Sequence, residues 1–237
     1  MDRGRRDRRR CAVCKPDQLN PTFKSRLMSS STPPSPSSDA APAWELARLF
    51  PLQGQWREED YFRLPTDRLV ELSDGHLEVL PMPTWMHQMI VDFVAGLMRS
   101  ASAAVGDEAR VLQAPLPVTL FAGTIREPDL LYLTPPCFPS SPTAYPNRLD
   151  IAVEVVSEGA EARHRDYVAK RSDYARGGVQ EYWIIDPFDR TVTVLRLAGN
   201  AYDEVGVFRA GETARGAFLP LFELPVDQVM RLADEVV

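Results

Sequence analysis

Apolar residues return along most of this chain at one of two periods, and the periods sort it into elements. Trp85, Met89, Ile90, Phe93, Val94 and Leu97 recur at helical spacing, with Thr84 placed to cap the start and Gly106 to end the helix. A second helical pattern covers 161–176 and stops at Gly177-Gly178. Shorter helices are predicted at 44–50 and 58–63, and a last one at 226–236. Between residues 68 and 80 two alternating stretches flank Asp74-Gly75, which signals a hairpin. Further strands are predicted at 110–121, interrupted by prolines, and at 129–134, 150–156, 181–186, 191–197 and 202–208. This order, with no internal repeat, predicts an α/β (α+β) fold: a mixed sheet with helices packed on it and a hairpin near its start.

Composition changes the picture at the N-terminus. Residues 1–42 join an arginine run to the Ser/Pro-rich SSSTPPSPSSDAAP, which offers little to bury. They are expected to be a disordered tail, with the folded domain at 43–237. A nucleic-acid-binding arm is the other reading of the arginines, and Met28 stands just before the linker as an alternative start. The 237 residues suit one domain plus such a tail. Three cysteines are too few for a disulfide scaffold and point to a reducing compartment. No secretory apolar stretch follows MDRGRRDRRR. The apolar helix at 85–105 carries His87, Gln88, Asp92 and Arg99, which a bilayer would penalise. A cytoplasmic protein with no membrane association is expected.

Charge is uneven. Residues 1–27 hold nine Arg and Lys against three Asp; the whole chain carries −6, so the remainder carries about −12. An acidic body weighs against broad, non-specific nucleic-acid binding, although a local basic groove can sit on it.

The residues that carry chemistry are acids in costly places. Leu149-Asp-Ile-Ala-Val-Glu-Val-Val156 reads as a strand buried on both faces, and alternation places Ala152, Glu154 and Val156 on one of them. A carboxylate there costs several kcal/mol, on the order of a lost buried ion partner, unless a cation or donors compensate. Asp129 opens a similar strand directly after Pro128. Two neighbouring strands with one acid each would make a site for a hard divalent cation, Mg²⁺ first and Mn²⁺ as its substitute. An Arg or Lys held against either acid for structure alone is the plainer alternative. Asp166, Lys170 and Tyr174 share a helix face; on spacing alone an exposed Asp–Lys pair is the expectation. Glu71 is either a solvent-facing hairpin residue or part of the same site. His87 is expected to be structural. Cys11-Ala-Val-Cys14 has ligand spacing but no second pair, and no phosphate loop, dinucleotide fingerprint or nucleophile elbow is present.

Several stretches together resemble a known pattern. They are Val70-Glu-Leu-Ser-Asp-Gly-His-Leu-Glu78, His87, Glu127-Pro-Asp-Leu-Leu131, Val153-Glu-Val-Val-Ser157, Asp166-Tyr-Val-Ala-Lys-Arg-Ser-Asp-Tyr-Ala175 and Gly178-Val-Gln-Glu-Tyr-Trp-Ile-Ile-Asp-Pro187. In order and spacing, over about residues 56–200, the chain resembles the Uma-type restriction endonuclease family, expanded in cyanobacteria, within the PD-(D/E)XK nuclease superfamily. The resemblance implies a central mixed sheet of four or five strands flanked by helices. It implies that Asp129 is the metal-binding aspartate and Glu154 the acid of the (D/E)XK element. The lysine is not at 156, where Val156 stands, but is implied on the following helix as Lys170; Glu71 is similar to an additional acid near the metal. With the Val155 backbone carbonyl as a further ligand, the implied activity is Mg²⁺-dependent phosphodiester hydrolysis of nucleic acid, with DNA as the expected substrate. Two-fold cutting of a duplex suits a homodimer. Ser73 and Glu158 depart from the family's usual aliphatic residue and proline. Two other readings stand beside this one: a binding module that keeps the fold without cutting, and a hydrolase of a smaller phosphorylated substrate. A long basic groove would favour a duplex, a closed pocket the smaller substrate.

Overall fold

The computed structural model describes residues 50–235; the tail expected at 1–42 and most of the helix expected at 44–50 lie outside them. In chain order the described elements are α1 (Glu58–Arg63), β1 (Val70–Ser73), β2 (His76–Val79), α2 (Trp85–Val105), β3 (Arg110–Gln113), β4 (Val118–Phe121), β5 (Thr124–Arg126) and β6 (Leu130–Leu133). A 3-10 turn (Pro135–Cys137) precedes β7 (Ile151–Val155). Then come α3 (Ala160–His164), a π-helical segment (Arg165–Lys170), α4 (Arg171–Arg176), β8 (Glu181–Asp186), β9 (Thr191–Ala198), β10 (Ala201–Phe208), β11 (Thr213–Arg215), β12 (Glu223–Pro225) and α5 (Val226–Asp234). No helix among them is long and apolar enough to cross a membrane.

The apolar strands assemble into one mixed sheet, in the order β10-β9-β8-β7-β6-β3. Only β7 and β8 run parallel, and the helical stretch of residues 160–176 connects them. The architecture is the expected one, but the sheet has six strands where four or five were expected, because β3 and β10 extend its two edges. Side-chain alternation divides the core. Ile151, Val153 and Val155 face a cluster built with α2 and α5, while Ala152 and Val156 face a second cluster containing Tyr174, Tyr182 and Ile184. Glu154 therefore belongs to the second face, as the sequence pattern requires.

A second, antiparallel sheet has the order β2-β1-β5-β4 and contains the expected hairpin. Asp74 and Gly75 both have positive φ (47° and 75°), as a two-residue hairpin turn demands. The short strand β5 carries no sequence signal of its own, since Thr-Ile-Arg is too brief to show a period; β11 and β12 escape for the same reason. From β5 the chain passes through Glu127-Pro128-Asp129 straight into β6, so these three residues join the two sheets. The helix expected at 161–176 is present in extent but contains the π-helical segment, a widening common at functional sites.

Gly75 sets the position of β1 through a close approach as well as through φ. A Cβ there would lie 2.6 Å from the Gly54 carbonyl oxygen, a backbone atom that cannot easily yield. At Gly123, with a similar φ of 80°, nothing lies within 4 Å of that position. Gly123→Ala is thus expected to cost about 1 kcal/mol for its backbone conformation alone, and Gly75→Ala clearly more. Urea melts of the two variants check this; equal losses would contradict the close approach.

Candidate active site

The ladder between β6 and β7 pairs Leu130 with Val153, so one further step places Asp129 across from Glu154. Both carboxylates then stand at the same end of adjacent central strands. The Val155 backbone N–H donates to Asp129 Oδ2 at 2.8 Å, and His87 Nε2 lies 3.0 Å from the same oxygen. Glu154 Oε1 accepts from Lys170 Nζ at 2.8 Å and from the Tyr174 hydroxyl at 2.6 Å. Lys170 Nζ also lies 3.1 Å from Glu71 Oε1 and 3.9 Å from Asp166 Oδ1. The structure thus gathers Asp129, Glu154, Lys170 and Glu71 at one place. Val155 lines the same cavity, with its N–H given to Asp129.

One expectation is corrected. Asp166 and Lys170 are not an exposed pair: each is only 2% exposed. Their helix face is turned inward by Tyr174, which is fully buried with its ring 4.9 Å from that of Tyr182. For Glu71, where two readings were open, the solvent-facing one is the one that fails. Glu71 is fully buried, because β1 is an interior strand between β2 and β5. Arg126 stands across from it and donates to Glu71 Oε2 at 2.8 Å, while its Nε and second terminal nitrogen reach Asp173 Oδ2 at 3.0 and 2.6 Å. The Glu127 N–H donates to Glu71 Oε1 at 3.0 Å.

Sequence reasoning missed part of the site. His87 was expected to be structural, yet it lines the cavity and holds Asp129. Its place in the first turn of α2, just after the Thr84 cap, was the available clue. Arg165 lines the cavity from the π-helical segment, and Glu127 from the link between the sheets. Arg126 gave no signal, since a single arginine in a three-residue strand has no pattern to break.

Negative charge dominates the centre. The cavity has a volume of about 30 Å³, enough for an ion and a water or so but not for a nucleotide. Burial, with Asp129, Asp166 and Glu71 nearby, outweighs Lys170 and pushes Glu154 up to about 8. Burial likewise pushes Asp166 up to about 6, against the pull of Lys170 and Arg165. Glu71 goes the other way: Lys170 and Arg126 overcome its burial and hold it below the usual carboxylate range. Burial disfavours a charged Lys170, but Glu154, Glu71 and Asp166 more than offset this and keep it a cation. His87 is raised in the same sense, the Asp129 carboxylate overcoming burial.

Among the described residues, the buried side-chain polar atoms left without a hydrogen bond are His87 Nδ1, Glu127 Oε2, Arg165 Nε and Asp166 Oδ1. All four belong to residues lining this one cavity. Two of them, Arg165 Nε and Asp166 Oδ1, face each other as an ion pair at 3.6 Å. Unsatisfied buried groups are costly, and they gather here around one cavity. No cluster of three or more His, Cys, Asp or Glu arranged around a metal occurs among the described residues. Mg²⁺ needs less, since it is commonly held by one or two carboxylates with waters filling the remaining positions. The hydrogen bonds described engage Asp129 through Oδ2 and Glu154 through Oε1, which leaves Oδ1 and Oε2 for an ion. The donor set therefore fits a hard divalent cation.

A pH dependence follows. Glu154, Asp166 and His87 all bind protons more tightly in the folded protein, so their stabilisation is complete at low pH and is lost as pH rises through the folded values. Thermal melts with a chelator are expected to show stability falling between about pH 5 and about pH 8, the upper end being the Glu154 value. Added Mg²⁺ should restore it most at the alkaline end. A melting temperature that rises with pH over this range in chelator would contradict the acid surplus.

Comparison with known proteins places this geometry in a family. A solved structure described as a "putative nuclease belonging to DUF820", from Anabaena variabilis, shares the fold with a TM-score of 0.60 and 21% identity; the match covers 75% of this chain and 98% of that one. No curated protein matches the chain. The model of the Uma2 family, described as "Putative restriction endonuclease", matches residues 58–227, a span that holds every residue of the site, and the chain belongs to that family.

Proposed function

We propose that this protein is a metal-dependent nuclease that hydrolyses phosphodiester bonds, with DNA as its substrate. The observation that carries the reading is a buried lysine ringed by Glu154, Glu71 and Asp166, beside Asp129, in a cavity that also collects the orphaned polar atoms. Asp129 Oδ1, Glu154 Oε2 and the Val155 carbonyl are the groups that would hold Mg²⁺ or Mn²⁺. When bound, the ion supplies positive charge at the scissile phosphate and lowers the pKa of a water.

The chain's own residues do the rest. His87 and the Val155 N–H fix the orientation of Asp129. Glu154 and Glu71 hold Lys170 Nζ at 2.8 and 3.1 Å, while Asp166 at 3.9 Å is beyond hydrogen-bond reach. The ammonium's hydrogen bond among these acids goes to Glu154, so it keeps N–H capacity to donate to the attacking water or to a phosphoryl oxygen. Because its neighbours keep it charged, Lys170 acts by orienting and by meeting the charge that develops on phosphorus, and not as the base. The small cavity also bears on the substrate. It has no room for a nucleotide, so the scissile group is presented to it from outside. A homodimer, the assembly expected from the family resemblance, would bring two such centres together.

Cleavage of supercoiled and linear DNA by the purified protein with Mg²⁺ or Mn²⁺ tests the proposal. Asp129→Ala and Glu154→Gln are expected to abolish cutting. Lys170→Met should lower the rate by about 10²- to 10³-fold, the usual cost of one electrostatic stabiliser, and should also destabilise the fold by leaving the acids unpaired. Full activity in Asp129→Ala would contradict the scheme.

A further inference from the structure

Beside the catalytic cavity lies a second one, about ten times larger at about 300 Å³. That volume is at the lower end for sites that take small organic groups. Glu127 lines both cavities, so the two adjoin. The outer wall is aromatic: Phe62 from α1 and Tyr145 from the loop before β7 stack with ring centroids 5.2 Å apart and planes within 13°. They remain 44% and 51% exposed. Two large rings brought together from distant parts of the chain and left half in water present a flat apolar surface to something else. Arg68 and Pro117 also line this cavity.

The carboxyl at the junction is only partly satisfied, although the Val70 backbone as well as Tyr61 bears on it. Glu127 Oε2 has no hydrogen-bond partner. Its Oε1 lies 2.8 Å from the Tyr61 hydroxyl, but that hydroxyl has one proton and is also 2.9 Å from the Val70 carbonyl. A carboxyl in this position seeks N–H groups, and the amino edge of a nucleobase carries them. In a duplex that edge is already paired and the ring faces are stacked, so only an unpaired or extruded nucleotide could use the wall and the carboxyl together.

We propose that the second cavity is a nucleobase subsite of the same centre, taking an unpaired, amino-bearing base next to the scissile phosphate. The inference rests on the nuclease reading and narrows its substrate to nucleic acid with an unpaired nucleotide at the cut site. It also suits the acidic body of the protein, which is poorly equipped to hold a duplex through phosphates alone.

The test is fluorescence anisotropy with short labelled oligo-dC, oligo-dT and a matched duplex, with Ca²⁺ in place of Mg²⁺ to suppress cutting, and cleavage assays in parallel. Oligo-dC is expected to bind more tightly than oligo-dT, which lacks the amino group, and than the duplex. Tyr145→Ala should weaken oligo-dC binding about tenfold or more, the usual loss for one stacked base, while its stabilisation by Mg²⁺ stays that of the parent. Glu127→Gln should level dC with dT. If the parent cuts nucleic acid but both variants bind and discriminate as it does, the subsite is wrong and the nuclease reading stands. If the parent neither binds nor cuts any of these substrates, both fall.

Discussion

The burial of Lys170 is the constraint on which this structure turns. Its ammonium is 2% exposed and sits between Glu154 on the central sheet and Glu71 on the smaller one. A charge in that position is tolerable only with well-placed partners, and those partners come from both sheets and from the π-helical segment. The centre therefore fixes how β1, β7 and residues 165–170 sit against one another. The partners exceed what one lysine can neutralise. Arg126 and Arg165 relieve Glu71 and Asp166, yet Glu154 is still pushed up to about 8. Buried acid of this kind is what the proposed cation would offset.

How much of this could be read from the sequence depended on whether a residue broke a pattern. Glu154 was legible because it interrupts an apolar strand, and Asp129 because it opens one; the structure puts them face to face at the end of the β6–β7 ladder. The two long helices, the hairpin at Asp74-Gly75 and the central strands followed from periodicity, and the family resemblance pointed to Lys170 and Glu71. Spacing alone misjudged the Asp166–Lys170 face. Solvent exposure of a helix face is decided by what packs on it, and here Tyr174 is the packing residue. Arg126, Arg165 and Glu127 were invisible for a different reason. Their roles exist only once two sheets separated in sequence are brought together, and no local period encodes that.

The two cavities that share Glu127 differ in character. The one lined by Asp129, Glu154 and Lys170 is polar and tight, with room for an ion and little else, so the proposed reading puts specificity outside it. The larger one has the flat aromatic wall and the underused carboxyl that a base would occupy. Glu127 is the hinge of this arrangement. Its backbone N–H supports Glu71 in the catalytic centre, while its side chain closes the floor of the second cavity. On the proposed reading, the link between the sheets would tie the position of the phosphate to that of the base.

The most direct measurement is anomalous diffraction from crystals of the protein soaked in Mn²⁺. The account expects one peak between the Asp129 and Glu154 carboxylates, absent in Asp129→Ala crystals that otherwise keep the fold. Crystals in Mn²⁺ that show no peak at those carboxylates, with Lys170 still paired to Glu154 and Glu71, would mean that the acid surplus is satisfied without a metal, and the catalytic reading would fail with it.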